Sequence, residues 1–206
     1  MRYAKGHKLQ TRARIVQAAA REFRRNGIDA ISVADIMEAE GLTHGGFYRH
    51  FKGKDALLVE SVEAALGEIG DQLLRQTAGL PRPEALARVI NFYLSEEHML
   101  HPQSGCAFAA LATDLARFPV RCRAPIARAL DRYRLKLNPL MPGNSQAERN
   151  SAFDVLFSSM AGCLMTARIR IDPERRKEIL RSARKFFIAT FCAPESHGMK
   201  GELCKK

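Results

Sequence analysis

SVADIMEAEGLTHGGFYRHFKGK, residues 32–54, reads as two short helices around a glycine turn. Ser32 suits an N-cap, because its hydroxyl can accept a hydrogen bond from a free amide at the helix start. Asp35, three residues on, puts an acid in the positively polarised first turn. Val33, Ile36 and Met37 then share one face at helical spacing. Gly41 tolerates the left-handed conformation that ends a helix, and Leu42 plugs the turn behind it. Thr43 is placed to cap the second helix. In that helix Phe47 and Phe51 face inward, leaving His44, Gly45, Gly46, Tyr48 and His50 outward. Two short helices, a glycine turn and a basic surround meet the requirements of a DNA-binding helix-turn-helix.

Charge supports that reading. The 206-residue chain carries a formal charge of +11, which points to a polyanionic partner and says nothing of fold. Residues 1–54 hold 11 Lys+Arg against 5 Asp+Glu, and the remaining 152 residues hold 22 against 17. Net positive charge per residue is therefore about three times higher in the N-terminal quarter, where a DNA footprint belongs.

The same stretch resembles the N-terminal signature of the TetR family of bacterial transcriptional repressors. The resemblance is carried by the segment Tyr48, Phe51, Lys54 and Leu57, with Thr11, Arg12, Ile15, Ala19, Phe23 and Gly27 upstream. Gly45-Gly46 departs from it, since relatives usually carry at least one larger residue there. Each glycine weakens a short helix by about 1 kcal/mol and lets backbone approach DNA closely. The resemblance implies phosphate contacts by Tyr48, His50 and Lys54, base-edge contacts near Thr43, His44 and Gly45, and neighbouring roles for Gly46, Lys52, Ser32 and Thr11.

Outward from the motif, residues 1–7 read as a short basic arm, and a first helix runs from about Lys8 to Asn26, ended by Gly27. A long helix opens at Gly53-Lys54 and continues to about Gln76, with Leu58, Val62, Ala65, Ile69 and Leu73 along one stripe. Leu80-Pro81-Arg82-Pro83 breaks the chain, because a proline bars its predecessor from helix. Helical stripes follow over 84–98, 106–118 and 123–138, separated by 101–105 and by Pro119 and Pro139–Gly143. The stretch 153–165 is apolar nearly all round, which requires burial on more than one side. Residues 179–191 carry Leu180, Ala183, Phe187 and Phe191 as a stripe. No strand signal occurs, so the expectation is an all-α chain of about nine helices. Residues 1–54 would be the DNA-binding head, 55–193 a ligand-binding and dimerisation domain, and 194–206 a disordered tail.

The two apolar C-terminal helices call for a second copy. Ala161 and Gly162 would allow close approach, with Phe157, Leu164, Phe187 and Phe191 filling the seam. The resemblance also implies a ligand cavity among the middle helices, and Phe92, Met99, Cys106, Phe108, Leu111, Phe118, Phe157 and Met160 are its expected walls. Cys106 opens a helix after Ser104-Gly105, where a thiolate would be favoured and the sulfur little covered. His98 and His101, beside Glu96 and Glu97, have no third ligand at metal spacing, so no metal or cofactor is expected.

An enzyme is not expected, since there is no G-x-S-x-G, phosphate-cradling glycine loop or framed carboxylate pair. Residues 1–14 lack an apolar secretory core, 153–165 is too short to span a bilayer, and five scattered cysteines suit a cytoplasmic chain with free thiols. The partners expected are double-stranded operator DNA, a small apolar effector and a second copy, with no membrane. The function implied is a homodimeric, ligand-released repressor. The alternatives are an effector-independent architectural or division-linked DNA-binding module, or a repressor sensing oxidants or electrophiles through Cys106.

Overall fold

The computed structural model describes residues 2–193, with side chains from Gly6 onward. The expected tail, 194–206, lies outside the described residues. The order is α1 (Arg2–Asn26), α2 (Val33–Ala39), α3 (His44–Phe47), α4 (Lys54–Thr77), α5 (Arg82–Tyr93), α6 (Glu96–Leu100), α7 (Ala107–Leu115), α8 (Val120–Leu137), α9 (Gln146–Ile169) and α10 (Pro173–Phe191). Two 3-10 turns, Pro102–Ser104 and Asn138–Leu140, join neighbouring helices. No strand occurs among the described residues, as an all-α chain requires. The described residues hold ten α-helices, in keeping with about nine: the expected 84–98 helix breaks at Leu94, and Ser95 then caps α6 through the His98 amide.

Several other boundaries differ, three of them with a clear local cause. The expected arm at 1–7 is helical from Arg2, since Gly6 alone is too weak a breaker to stop α1. Helix α8 begins at Val120, directly after Pro119. Ser145 caps α9 through the Glu148 amide, which starts that helix seven residues before its apolar run. At 24 residues, Gln146–Ile169 is long and apolar enough to cross a membrane by length and composition, so the expectation that this stretch is too short is corrected. Here its Phe153, Leu156, Met160, Leu164 and Ala167 are buried in the core.

Helix α4 is the spine. Its inner stripe, Leu58, Val62, Ala65, Ile69 and Leu73, is buried, and α1, α5, α7 and α8 pack around it. Three ion pairs fasten it along α8: Asp55–Arg121 at 3.2 Å, Glu63–Arg132 at 3.1 Å and Asp71–Lys136 at 2.5 Å. Between the last two, Gly70 brings the Tyr133 ring against the α4 backbone, where an added Cβ would stand 3.1 Å from it. Toward the head, Glu60 of α4 binds the Arg12 guanidinium, which also lies 4.3 Å over the Phe51 ring. Such half-exposed pairs contribute about 0–1 kcal/mol each, so they set position more than stability.

A buried polar knot joins the far end of α1 to the body. His98 is 4 % exposed and receives the Cys106 amide on Nε2 at 2.9 Å. Its Nδ1 lies 2.6 Å from the Tyr93 carbonyl. A carbonyl only accepts and an amide N–H only donates, so the ring must be neutral with its proton on Nδ1. Below it, Arg168 of α9 donates to the carbonyls of His98, Met99 and Ala109, each at 3.1 Å.

Candidate nucleic-acid interface

The head is built by local chemistry. The Ser32 hydroxyl accepts from the Asp35 amide, while the Asp35 carboxylate accepts from the Ser32 amide at 2.8 Å, a reciprocal capping box. The Ser32 side chain first, and the Ser32 backbone amide second, hold the Asp35 carboxyl below its ordinary range. At the other end of α2, Leu42 N–H donates to Met37 O and Gly41 N–H to Glu38 O, with Gly41 at φ +68°. This is the glycine-ended helix stop, and it sets the turn angle. Thr43 occupies the cap position of α3 without a side-chain cap bond. Helix α3 is one turn long, as two consecutive glycines would favour. Phe47 and Phe51 are buried and stack 5.4 Å apart, which fixes α3 against the head's core.

What remains outside α3 is a basic and aromatic face. Thr43, His44, Gly45, Tyr48 and Lys52 are exposed, with Gly46 and His50 partly so. Tyr48 is 66 % exposed, with its ring braced edge-on against Phe47 and 5.9 Å from His44. An exposed rigid aromatic with a hydroxyl, beside cations, suits a phosphate backbone. Burial and the charges of Lys8, Arg12 and Arg49 hold His50 below its ordinary pKa. Lys8 and Arg49 were missed by the sequence reading, although Lys8 lies one helical turn before Arg12 and Arg49 adjoins the motif's tyrosine. Lys54 sits at the first position of α4, with Nζ 5.9 Å over the Phe23 ring. Thr11 is corrected: its side chain is buried at 9 % exposure, because it lies on the inner face of α1.

Of the eight expected cavity walls, Phe108 and Phe118 line open pockets, and they line two different ones. Met99, Cys106, Leu111, Phe157 and Met160 are close-packed core, Phe92 stacks on His98, and Phe118 lies near Asp29 and Asp114. The apolar pocket, of about 260 Å³, instead opens between α4, α7 and α8. Val62, Leu66, Phe108, Leu115, Ile126 and Leu130 line it where Ala112, Ala116 and Ala127 leave room, and Arg123 stands at its rim. Cys106 is also corrected. It precedes α7 as expected, but its sulfur is enclosed, at 2 % exposure for the residue. His98 and His101 point to different partners, the latter facing Glu97 at 3.6 Å on the surface.

The expected seam residues are placed inward. Phe157, Ala161, Leu164 and Phe187 are buried within the chain's own core, and Phe191 is half-buried. Gly162 alone of that set lies open, with nothing within 4 Å of an added Cβ. The outer face of α9 is Val155, Gly162 and Ile169, spaced by seven, and Phe186 of α10 is also exposed, at 64 %.

The family model for bacterial regulatory proteins of the tetR family matches residues 15–60, the capped motif and its flanking helices. Residues 15–60 thus carry the N-terminal segment of that family. The chain is 40 % identical over 75 residues to the HTH-type transcriptional regulator TtgR of Pseudomonas putida, a match covering 36 % of this chain and 35 % of the relative. The matched region thus spans about a third of that relative's length. Among solved structures, NemR of E. coli in its reduced form is similar with a TM-score of 0.74 at 16 % identity, covering 91 % of this chain and all of that one. FadR of Bacillus subtilis, in complex with stearoyl-CoA, is similar at 0.65 and 17 % identity, covering 86 % and 97 %. These two likenesses are of fold.

Proposed function

We propose that the protein is a homodimeric transcriptional repressor of the bacterial cytoplasm that binds a pseudo-palindromic operator and is released by a small apolar effector. The observation that carries this reading is the exposed α3 face, with Tyr48, His44 and Lys52 displayed on a doubly secured helix-turn-helix in the most basic part of the chain. Two such heads, joined by the outer faces of α9 and α10, would enter successive major grooves about 34–36 Å apart. The effector would occupy the α4–α7–α8 pocket. An engineered 150 Å³ apolar cavity holds benzene, so 260 Å³ suits a body of roughly ten carbons. Because α4 both lines that pocket and begins beside Lys52, a ligand preferring one α4 position would shift the head population.

Binding to duplexes selected from a random pool, followed by fluorescence anisotropy, tests the DNA reading. Lys52→Ala is expected to flatten the slope of log affinity against log salt by about one unit, because one phosphate contact releases about one counterion. Tyr48→Ala should weaken all sequences alike, whereas His44→Ala should change which sequence is preferred. Unchanged affinity and slope in both Tyr48→Ala and Lys52→Ala would move the interface elsewhere.

The pocket has its own test, with 1-naphthol as the probe. The parent should melt several degrees higher with saturating naphthol, as linkage requires of a ligand that binds only the folded state. Ala112→Phe fills the pocket and should abolish that shift while leaving DNA binding intact. An equal shift in the variant would place the apolar ligand at another site.

A further inference from the structure

The apolar pocket is not the only opening. A second crevice, of about 170 Å³, lies between α1, α4 and the Pro102–Ser104 turn, and its walls are polar: Gln17, Arg21, Arg24, Glu68, Gln72 and Gln103. Its central group is Arg24, which is only 7 % exposed. Nε donates to the Ala20 carbonyl at 2.9 Å and Nη1 to the Gly105 carbonyl at 2.8 Å. These two carbonyls are its hydrogen-bond acceptors among the described residues. Among the described residues no carboxylate stands within 4 Å of the guanidinium. A buried cation without a counter-ion is costly to hold, and such groups are ordinarily paired.

The remaining charges narrow what could pair with it. Arg21, at the mouth, already faces Glu40 at 3.6 Å. Glu68 is exposed on α4, forms no ion pair among the described residues, and acts on Arg24 through its field. Arg24 and Glu68 therefore present opposite charges to one crevice while standing more than 4 Å apart. Three carboxamides, each able to donate and accept, fill the rest of its wall. A dianion such as phosphate would oppose Glu68, and a simple amine would oppose Arg24. A molecule with a carboxylate at one end and an ammonium beside it satisfies both. At about 30 Å³ per water, the volume amounts to roughly six waters, the size of a small polar amino acid.

We infer that this crevice is a second ligand site, taking a polar α-amino acid whose carboxylate lies on Arg24 and whose ammonium faces Glu68. It is separate from the apolar pocket and independent of the DNA-binding reading. Because its walls come from α1 on one side and α4 and the 3-10 turn on the other, an occupant ties the far end of the head's first helix to the body.

Isothermal titration calorimetry on the full chain tests it, with L-serine and L-glutamine as probes and propionate, propylamine and inorganic phosphate as single-charge controls. Saturable binding of an amino acid is expected, at least about tenfold tighter than any control, since each control leaves one charge unmet. Arg24 holds the Gly105 carbonyl and its loss threatens the fold, so Glu68→Gln carries the test. That exposed change should keep the parent's melting temperature and weaken amino-acid binding about tenfold, with propionate unaffected. No saturable heat from either amino acid up to about 20 mM overturns the proposal. So does equal affinity in Glu68→Gln, or phosphate binding more tightly than both.

Discussion

Glutamate at both Gly162 and Phe186 is expected to leave the protein monomeric in sedimentation velocity and to lower operator affinity by at least about a hundredfold. Both positions are exposed in the single chain, so the monomer's melting temperature should hardly change. In the proposed dimer they lie on the face where Val155, Gly162 and Ile169 recur every seven residues, two helical turns apart. Glycine at the middle position leaves a groove for a partner helix, and two-fold symmetry would bring four new carboxylates into one seam. Burying unpaired charge there costs more than an apolar contact returns. The affinity loss follows because one head alone reads half a site. A stable dimer with parental affinity would remove α9 and α10 from the interface.

The second large effect is on stability in acid. His98 is held neutral, with its pKa lowered to about 4, first by burial and then by the charges of Arg168 and Arg24, against the opposing pull of the Tyr93 carbonyl. The unfolded chain binds this proton near pH 6.5, so between about 6.5 and 4 it takes up protons that the folded chain refuses. His98 therefore contributes in full above pH 6.5, and that contribution falls as the pH drops toward 4. The loss is about 3 kcal/mol, at 1.36 kcal/mol for each unit between the two values. For a chain of this size, that is a fall of roughly 10 °C in melting temperature. His50, also lowered, adds a smaller change of the same sign. His98→Gln separates the two. A glutamine carbonyl can still accept from Cys106 but does not titrate, so the variant should be less stable at pH 7.5 and nearly flat across the window. A parent melting curve that does not move between pH 6.5 and 4 would contradict the buried neutral ring.

The head was legible in sequence because its determinants are short-range. Ser32 finds Asp35 three residues away, Gly41 ends its own helix, and Phe47 and Phe51 share a face at any reasonable helix geometry. Beyond the head, periodicity located helices but not which side of each meets the core. Leu164 in α9, apolar nearly all round, and Phe187 in α10 were expected outside because nothing local marks them as inner. Packing of α9 on α10, α7 and the 3-10 turn decides that, across long sequence separations. The pocket failed for a different reason. Large aromatic and methionine side chains were expected to wall a cavity, whereas Phe157 and Met160 fill theirs. The space opens where Ala112, Ala116 and Ala127 are small. Cys106 and His98 were read from flanking residues alone, and their burial depends on a knot completed by Arg168, far downstream in α9.

The three ion pairs between α4 and α8 work like the teeth of a rack. Along α4 the acids sit at 55, 63 and 71, and along α8 the cations sit at 121, 132 and 136. The outer pairs span 16 residues on one helix and 15 on the other, while the middle one is off-centre and is reached by an arginine's length. Sliding α4 by one turn, about 5.4 Å, would unmesh all three, and no neighbouring setting meshes them again. Motion of α4 together with α8 as one lever arm keeps all three pairs, so they favour it by the small amount such half-exposed pairs contribute. Dissolved salt loosens those teeth as it loosens phosphate contacts, so ionic strength would slacken the arm and its grip on DNA together.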